Sequence, residues 1–182
     1  MREEKKKPRI VIVTGAESTG KSVLTRQLAE EFSAPFFPEY AREFLEKSGH
    51  PYTRDEVIHI AHTQVDQMES ALASGEEWFF FDTWLIITKV WMEVVYGEVP
   101  PFITRALSHY PVSLYLLCDT DIPWEPDPLR ENGGENRELL SGMYRNHLES
   151  LGARYSVVSG QGEERRRNAL QIIRKTLNFP LI

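Results

Sequence analysis

Cysteine is almost absent from this chain: Cys118 is the only one in 182 residues. An internal disulfide and a multi-cysteine metal site are thereby excluded, and a reducing, cytoplasmic setting is expected. Its neighbours, Leu114 to Leu117, are apolar, so Cys118 reads as an inert strand thiol rather than a nucleophile. Long apolar runs are missing too. Ile10 to Val13 is too short for a signal-peptide core, and no segment approaches the ~20 residues of a membrane span, so no membrane partner is expected. Positive charge is not in excess either. Twenty-one Lys and Arg against 27 Asp and Glu leave a net charge of −6, which argues against nucleic acid as a partner, because a phosphate backbone needs a basic surface. Internal repeats and low-complexity linkers are also lacking. What remains, with 41% hydrophobic and 26% charged residues, is a globular domain long enough for a sizeable core. Residues 1–8, a mixed-charge run ending at Pro8, read as a disordered tail, and 9–182 as a single domain. Oligomeric state is left open.

Strand-like and helix-like segments alternate, the mark of an α/β fold with a parallel sheet. The expected strands are Arg9–Thr14, Ala34–Phe37, Trp78–Phe81, Val112–Cys118 and Arg154–Val158. Helices are expected from the phosphate loop to about Phe32, over Glu39–Lys47, and from a capping box at Thr53–Glu56 to Gly75. Further helices are expected over Leu85–Tyr96, after Pro100-Pro101, around Leu140–Leu151, and over Glu163–Leu177. Asp119 to Asn136, with Pro123, Pro126 and Pro128 among its charges, reads as a long irregular loop, a length usually functional or disordered.

The stretch GAESTGKS, Gly15 to Ser22, carries the chemistry. Glycines at this spacing, between a strand and a helix, let the backbone wrap a phosphate with inward N–H groups, and the helix adds its positive end. The run Gly15, Ala16, Glu17, Ser18, Thr19, Gly20, Lys21, Ser22 and Val23 is therefore expected to bind a nucleotide, ATP with Mg²⁺ being the expected one and a preference for GTP staying open. Lys21 would reach the β- and γ-phosphates, and Ser22 would ligate Mg²⁺. Asp82, ending the apolar strand WFFFD, suits a carboxylate that anchors Mg²⁺, although it is also placed to cap the next helix.

The phosphate acceptor is narrowed by what surrounds these motifs. Asp82 is followed by Thr83 and not by the glutamate that activates water in motor-type ATPases, and there is no Asn-Lys-x-Asp guanine reader. The loop 119–137 fits a lid, which a small-molecule kinase needs to exclude water. Arg130 and Arg137 are candidates to neutralise the transferring phosphoryl, against the alternative of solvated surface arginines. Glu39 and Arg42 follow the second strand, where a parallel sheet presents its crevice; Glu39 is a candidate base and Arg42 a substrate contact. Tyr40 and Trp84 are candidates to stack on an aromatic ring. His59, His62 and Asp66 have a spacing that can ligate metal, but a core-edge role is the expected one. Arg165-Arg166-Arg167 reads as a solvated face.

In order along the chain, GAESTGKS, PEYAREF, FFFDT with ITKVW, and YLLCDTDIPWEPDPLR resemble the ribosylnicotinamide kinase domain of the NadR family, over about Ile10 to Gly160. The resemblance implies a three-layer, nucleoside/nucleotide-kinase-like P-loop fold with a five-stranded parallel sheet. It also implies phosphorylation of the ribose 5′-hydroxyl of nicotinamide riboside by ATP, as in NAD salvage. Gly15, Gly20, Lys21 and Ser22 would hold nucleotide and Mg²⁺. Glu39, Tyr40, Arg42, Asp82 and Thr83 would form the acceptor side, Asp119, Trp124 and Arg130 the lid, and Ser159-Gly160 would pass near the adenine. The family's adenylyltransferase domain and its His-x-Gly-His-type motif have no counterpart in this sequence, so a stand-alone kinase is expected. Two departures fall beside the acceptor pocket: Trp84 where the family often has Asp, and Pro38 where it can have Trp. Asp82 and Glu39 both stay open as the base. An ATPase or nucleotide sensor, or a kinase of another nucleoside, is the alternative.

Overall fold

The computed structural model describes residues 7–49, 51–125 and 135–179. Arg130, the middle of the expected lid and most of the expected tail lie outside these residues. Five strands form one all-parallel sheet: β1 (Arg9–Thr14), β2 (Phe36–Phe37), β3 (Trp78–Asp82), β4 (Leu114–Cys118) and β5 (Tyr155–Val158), in the order β2-β3-β1-β4-β5. The helices between them are α1 (Lys21–Glu31), α2 (Tyr40–Ser48), α3 (Arg54–Ser74), α4 (Leu85–Tyr96), α5 (Pro101–His109), α6 (Glu135–Ser150) and α7 (Gly162–Thr176).

Strand alternation divides the apolar residues between two cores. Ile10 and Ile12 of β1 join Phe79 and Phe81 of β3 against α3, α4 and α5. Val11 and Val13 join Phe80, Leu114 and Leu116 against Leu24 and Leu28 of α1 and Ala169 and Ile173 of α7. With both faces covered, the strands carry the unbroken apolar runs of a buried parallel sheet. The three layers and five parallel strands are those expected from the sequence.

Element ends follow local chemistry. Thr53 and Glu56 make the capping box, the Glu56 carboxylate accepting from the Thr53 N–H at 2.7 Å and the Thr53 hydroxyl accepting from the Glu56 N–H at 3.3 Å. β2 is shorter than expected because Ala34 belongs to the end of α1: Ser33 turns left-handed and the Ala34 N–H donates back to the Ala29 carbonyl at 2.8 Å. β4 starts two residues late, at Leu114, because a tight turn from Tyr110 to Val112 precedes it. Among the described residues no helix is long and apolar enough to cross a membrane.

The topology positions the site. The chain leaves β1 at the centre, passes to the edge strand β2, returns to β3 beside β1, and then crosses to β4 on the other side. β1 is thus flanked by connections that run opposite ways, and ligands bind outside the strand C-termini at such a point. The loop Gly15–Gly20 leaves β1 there.

Candidate active site

The phosphate loop is built from backbone conformations that its sequence permits. Gly15 has φ +142°, and a Cβ on it would stand 2.9 Å from the Cys118 carbonyl oxygen on β4. Glycine is needed there for space as well as for conformation. Ser18 is left-handed, and Gly20 (φ +74°) caps α1. Inside the loop the Thr19 hydroxyl donates to the Ala16 carbonyl at 2.8 Å, and the Lys21 ammonium donates to the same oxygen at 2.8 Å. Burial pushes the Cys118 thiol up to about 11, in keeping with an inert thiol under the loop.

Two arginines fix the loop from outside. Arg137, at the start of α6, is buried and donates to the carbonyls of Glu17 (2.9 Å) and Ser18 (2.8 Å). It is no solvated surface residue, and it reaches the loop through backbone oxygens. Arg165 corrects the reading of its run as a solvated face: at 3% exposure it donates to the carbonyls of Thr19 (2.7 Å) and Gly160 (2.6 Å) and pairs with Asp121. A triple-arginine run on a helix looks uniformly solvated in sequence; only the fold shows that its first member faces inward. Gly160, φ +97°, lies in this network with its N–H donating to Asp121 at 2.6 Å. The Ser159 hydroxyl donates to Asp119 at 2.8 Å. The loops after β4 and β5 are therefore joined to the phosphate loop. Ser18 adds a link to the described start of the lid segment, donating to the Glu125 carbonyl at 3.2 Å.

A cavity of about 860 Å³ opens from this loop. Residues 15 and 17–23 of the phosphate-loop region line it together with Glu39, Arg42 and Thr83, and Glu39 stands within electrostatic reach of Lys21 and Arg42. Asp82 ends β3 beside Val13 of β1 and is 3% exposed. Burial holds its carboxyl above the usual carboxylate range, against the opposing pull of the Ser22 hydroxyl and the Lys21 charge. Its Oδ1 is buried with no hydrogen-bond partner among the described residues. Burial also raises Glu39, the Lys21 charge opposing and the Asp82 carboxylate reinforcing. Glu39 precedes α2 as its N-cap, with no side-chain capping bond, so its carboxyl is not used up at the helix end. Thr83 is left-handed (φ +60°), an uncommon state for a β-branched residue and one that collects at functional sites.

Two expected substrate contacts face elsewhere. Trp84 is fully buried; its indole N–H donates to the Gln64 carbonyl at 3.0 Å and its ring meets Tyr110 edge-on at 5.9 Å. It is a core residue beneath the cavity and offers no stacking face. Tyr40 turns toward Phe44 and His59, its hydroxyl 3.3 Å from His59 Nε2, and lines a separate, smaller pocket. The cavity's aromatic wall comes instead from Tyr52 and Trp91, edge-to-face at 4.7 Å, with Tyr96 near them, while Tyr144 shares an apolar cluster with Ala16 of the phosphate loop. Gln64 and Thr88 complete it. None of these stands out in sequence, because each belongs to an ordinary helical or loop segment and only the packing of α3, α4 and α6 brings them together. His62, for its part, stacks on Phe102 at 4.1 Å.

A family model described as AAA domain matches residues 10–165. The trifunctional NAD biosynthesis/regulator protein NadR of Salmonella typhimurium is 28% identical over 131 residues, covering 69% of this chain and 32% of that protein. The NadR of Escherichia coli K12 matches with the same figures. The chain thus spans about a third of the length of these curated relatives. Among solved structures, a NadR protein in complex with NR superposes with a TM-score of 0.82 at 22% identity, covering 96% of this chain and 53% of that one. A thymidylate kinase from Ehrlichia chaffeensis superposes with a TM-score of 0.68 at 12% identity, covering 92% of this chain and 98% of that one. These superpositions establish the fold as that of P-loop kinases.

Proposed function

The chain belongs to the AAA domain family, and from that premise we propose that it is an ATP-dependent kinase that phosphorylates a ribose hydroxyl of a nucleoside, nicotinamide riboside being the first acceptor to test. One observation carries this reading: a single cavity is lined by the phosphate loop, by Glu39 and by the aromatic side chains of Tyr52 and Trp91. The related NadR structures are complexes with NR and with NAD and AMP-PNP, which supports a nucleoside and an adenine nucleotide as the ligands to test.

The reaction transfers a phosphoryl group. The acceptor oxygen bonds to the γ-phosphorus as the bond from that phosphorus to the bridging oxygen breaks, and ADP leaves. The chain's part is to position, to neutralise charge and to take a proton. Lys21 moves from the Ala16 carbonyl to the phosphates, and the loop N–H groups hold them. Glu39 takes the acceptor's proton; its raised pKa makes it a better base than an ordinary glutamate, and the neighbouring Lys21 limits the rise. Arg42 stands on the same wall to bind acceptor or phosphate.

Asp82 is left free for the metal. Its buried, unpartnered Oδ1 beside the Ser22 side chain has the donor chemistry of a Mg²⁺ site, and these two residues would hold the ion. When bound, Mg²⁺ draws charge from the phosphate oxygens. This division of labour is tested by Glu39→Gln: turnover falls about 10²-fold or more while the ATP Kd stays within about threefold. Unchanged turnover removes Glu39 from the base role and returns it to Asp82.

A further inference from the structure

Gln64 is a large polar side chain in an apolar setting, on α3 and 3% exposed. Both of its oxygens are already used. The backbone carbonyl accepts from the Trp84 indole N–H at 3.0 Å, and side-chain Oε1 accepts from the Thr88 hydroxyl at 2.6 Å. These two bonds, from different points on the β3–α4 segment, hold the residue at both ends and set the orientation of its amide. The amide NH₂ has no hydrogen bond among the described residues, yet it keeps some accessible surface. The surface it has lies on the cavity, whose wall Gln64 and Thr88 share with Tyr52 and Trp91. A buried amide with its acceptor satisfied and its donors facing a cavity lacks one thing, a ligand oxygen.

We propose that Gln64, held by Thr88 and Trp84, is the specificity-determining residue of the acceptor site: its amide N–H donates to a carbonyl oxygen on the acceptor's base. The ligand class is a nucleoside whose base presents a carbonyl or carboxamide oxygen at its edge. Bases that present only an amino group there are disfavoured, because two donors would then face each other and the Gln64 amide would stay unpaired. This inference rests on the kinase reading and narrows its substrate. It also gives Trp84 a role: the tryptophan does not touch the acceptor but fixes the residue that does.

The test measures binding and turnover separately. Calorimetric Kd values are taken for nicotinamide riboside and for the matching pyridinium riboside without the carboxamide, on wild-type protein, Gln64→Leu and Gln64→Glu. Gln64→Leu keeps the volume without the donors; Gln64→Glu keeps the Thr88 bond but turns an oxygen toward the ligand. The wild type is expected to prefer the carboxamide by tenfold or more. Both variants lose that preference, Gln64→Glu more completely, and bind the carbonyl-free riboside within threefold of wild type. Equal losses for the two ligands overturn the proposal and leave Gln64 a packing residue. A wild type that binds the two ligands equally, or neither, overturns it as well. Should the carboxamide preference and its loss appear without ATP-dependent phosphorylation, the kinase reading fails while the recognition stands.

Discussion

Arg165 donates through Nη1 to the carbonyl oxygen of Thr19 at 2.7 Å, across 146 positions of sequence. The same guanidinium reaches Gly160 and Asp121, so one side chain on the last helix ties the phosphate loop to the loops after β4 and β5. A planar donor fork with five N–H groups serves three directions at once, which a lysine cannot do. Arg165→Lys should therefore raise the KM for ATP about tenfold while changing kcat much less, and Arg165→Ala should cost about 3 kcal/mol of stability. Denaturant unfolding and steady-state kinetics of the two variants measure both; an ATP KM unchanged in Arg165→Lys would show that the loop holds its shape without the tie.

Gly15→Ala puts a methyl group 2.9 Å from the Cys118 carbonyl at a backbone angle that alanine avoids. Backbone cannot move aside as a flexible side chain does. The variant should lose roughly 1–3 kcal/mol of stability and bind ATP at least tenfold more weakly. Thermal unfolding with and without nucleotide checks both, and full nucleotide stabilisation in the variant would show that the loop tolerates the displacement.

How far the sequence anticipated these features depends on where each residue's partner lies. The phosphate loop, the capping box at Thr53 and Glu56, and β1 and α4 are spelled by neighbouring residues, and they sit where expected. The sheet follows from the apolar runs and their alternation with helices. Trp84 and Arg165 misled for one reason. A side chain's direction depends on what packs over it: Trp84 meets α3 and Tyr110, and Arg165 meets loops far away in sequence. Tyr52, Gln64 and Trp91 gave no local signal at all, since an aromatic or amide on a helical stripe reads as core or surface until the facing helix is known.

Burial keeps the carboxyls of Glu39 and Asp82 above their ordinary values of 4.5 and 3.8. The folded protein then holds protons that the unfolded chain has already released. Ligand-free protein should lose stability as pH rises from the ordinary carboxylate range through the raised values, and level off above them. Glu39→Gln removes its share of that slope and should stabilise the ligand-free protein at neutral pH by roughly 0.5–2 kcal/mol. Turnover moves the opposite way, because the base must be ionised, and should rise over the same window. Melting temperature and initial rate against pH test the pair; a stability that climbs with pH in both proteins contradicts the assignment.

Trp84→Phe keeps a ring in the core but removes the indole bond to the Gln64 carbonyl, which keeps its helical donor. It should cost about 0.5–1.5 kcal/mol and leave the KM for ATP unchanged, since Trp84 does not line the cavity. An ATP KM raised tenfold would put the indole in contact with the nucleotide site after all.

The central claim is that the phosphoryl group goes to a nucleoside and not to water. ADP and phosphorylated nucleoside are measured together, in Mg²⁺ and ATP, with and without nicotinamide riboside and a panel of ordinary nucleosides. The account predicts ADP release only with an accepting nucleoside, in equal amount to its 5′-phosphate, and a loss of about 10²-fold or more in Lys21→Ala. ADP formed at the same rate without any acceptor, or bound ATP that no nucleoside turns over, contradicts it.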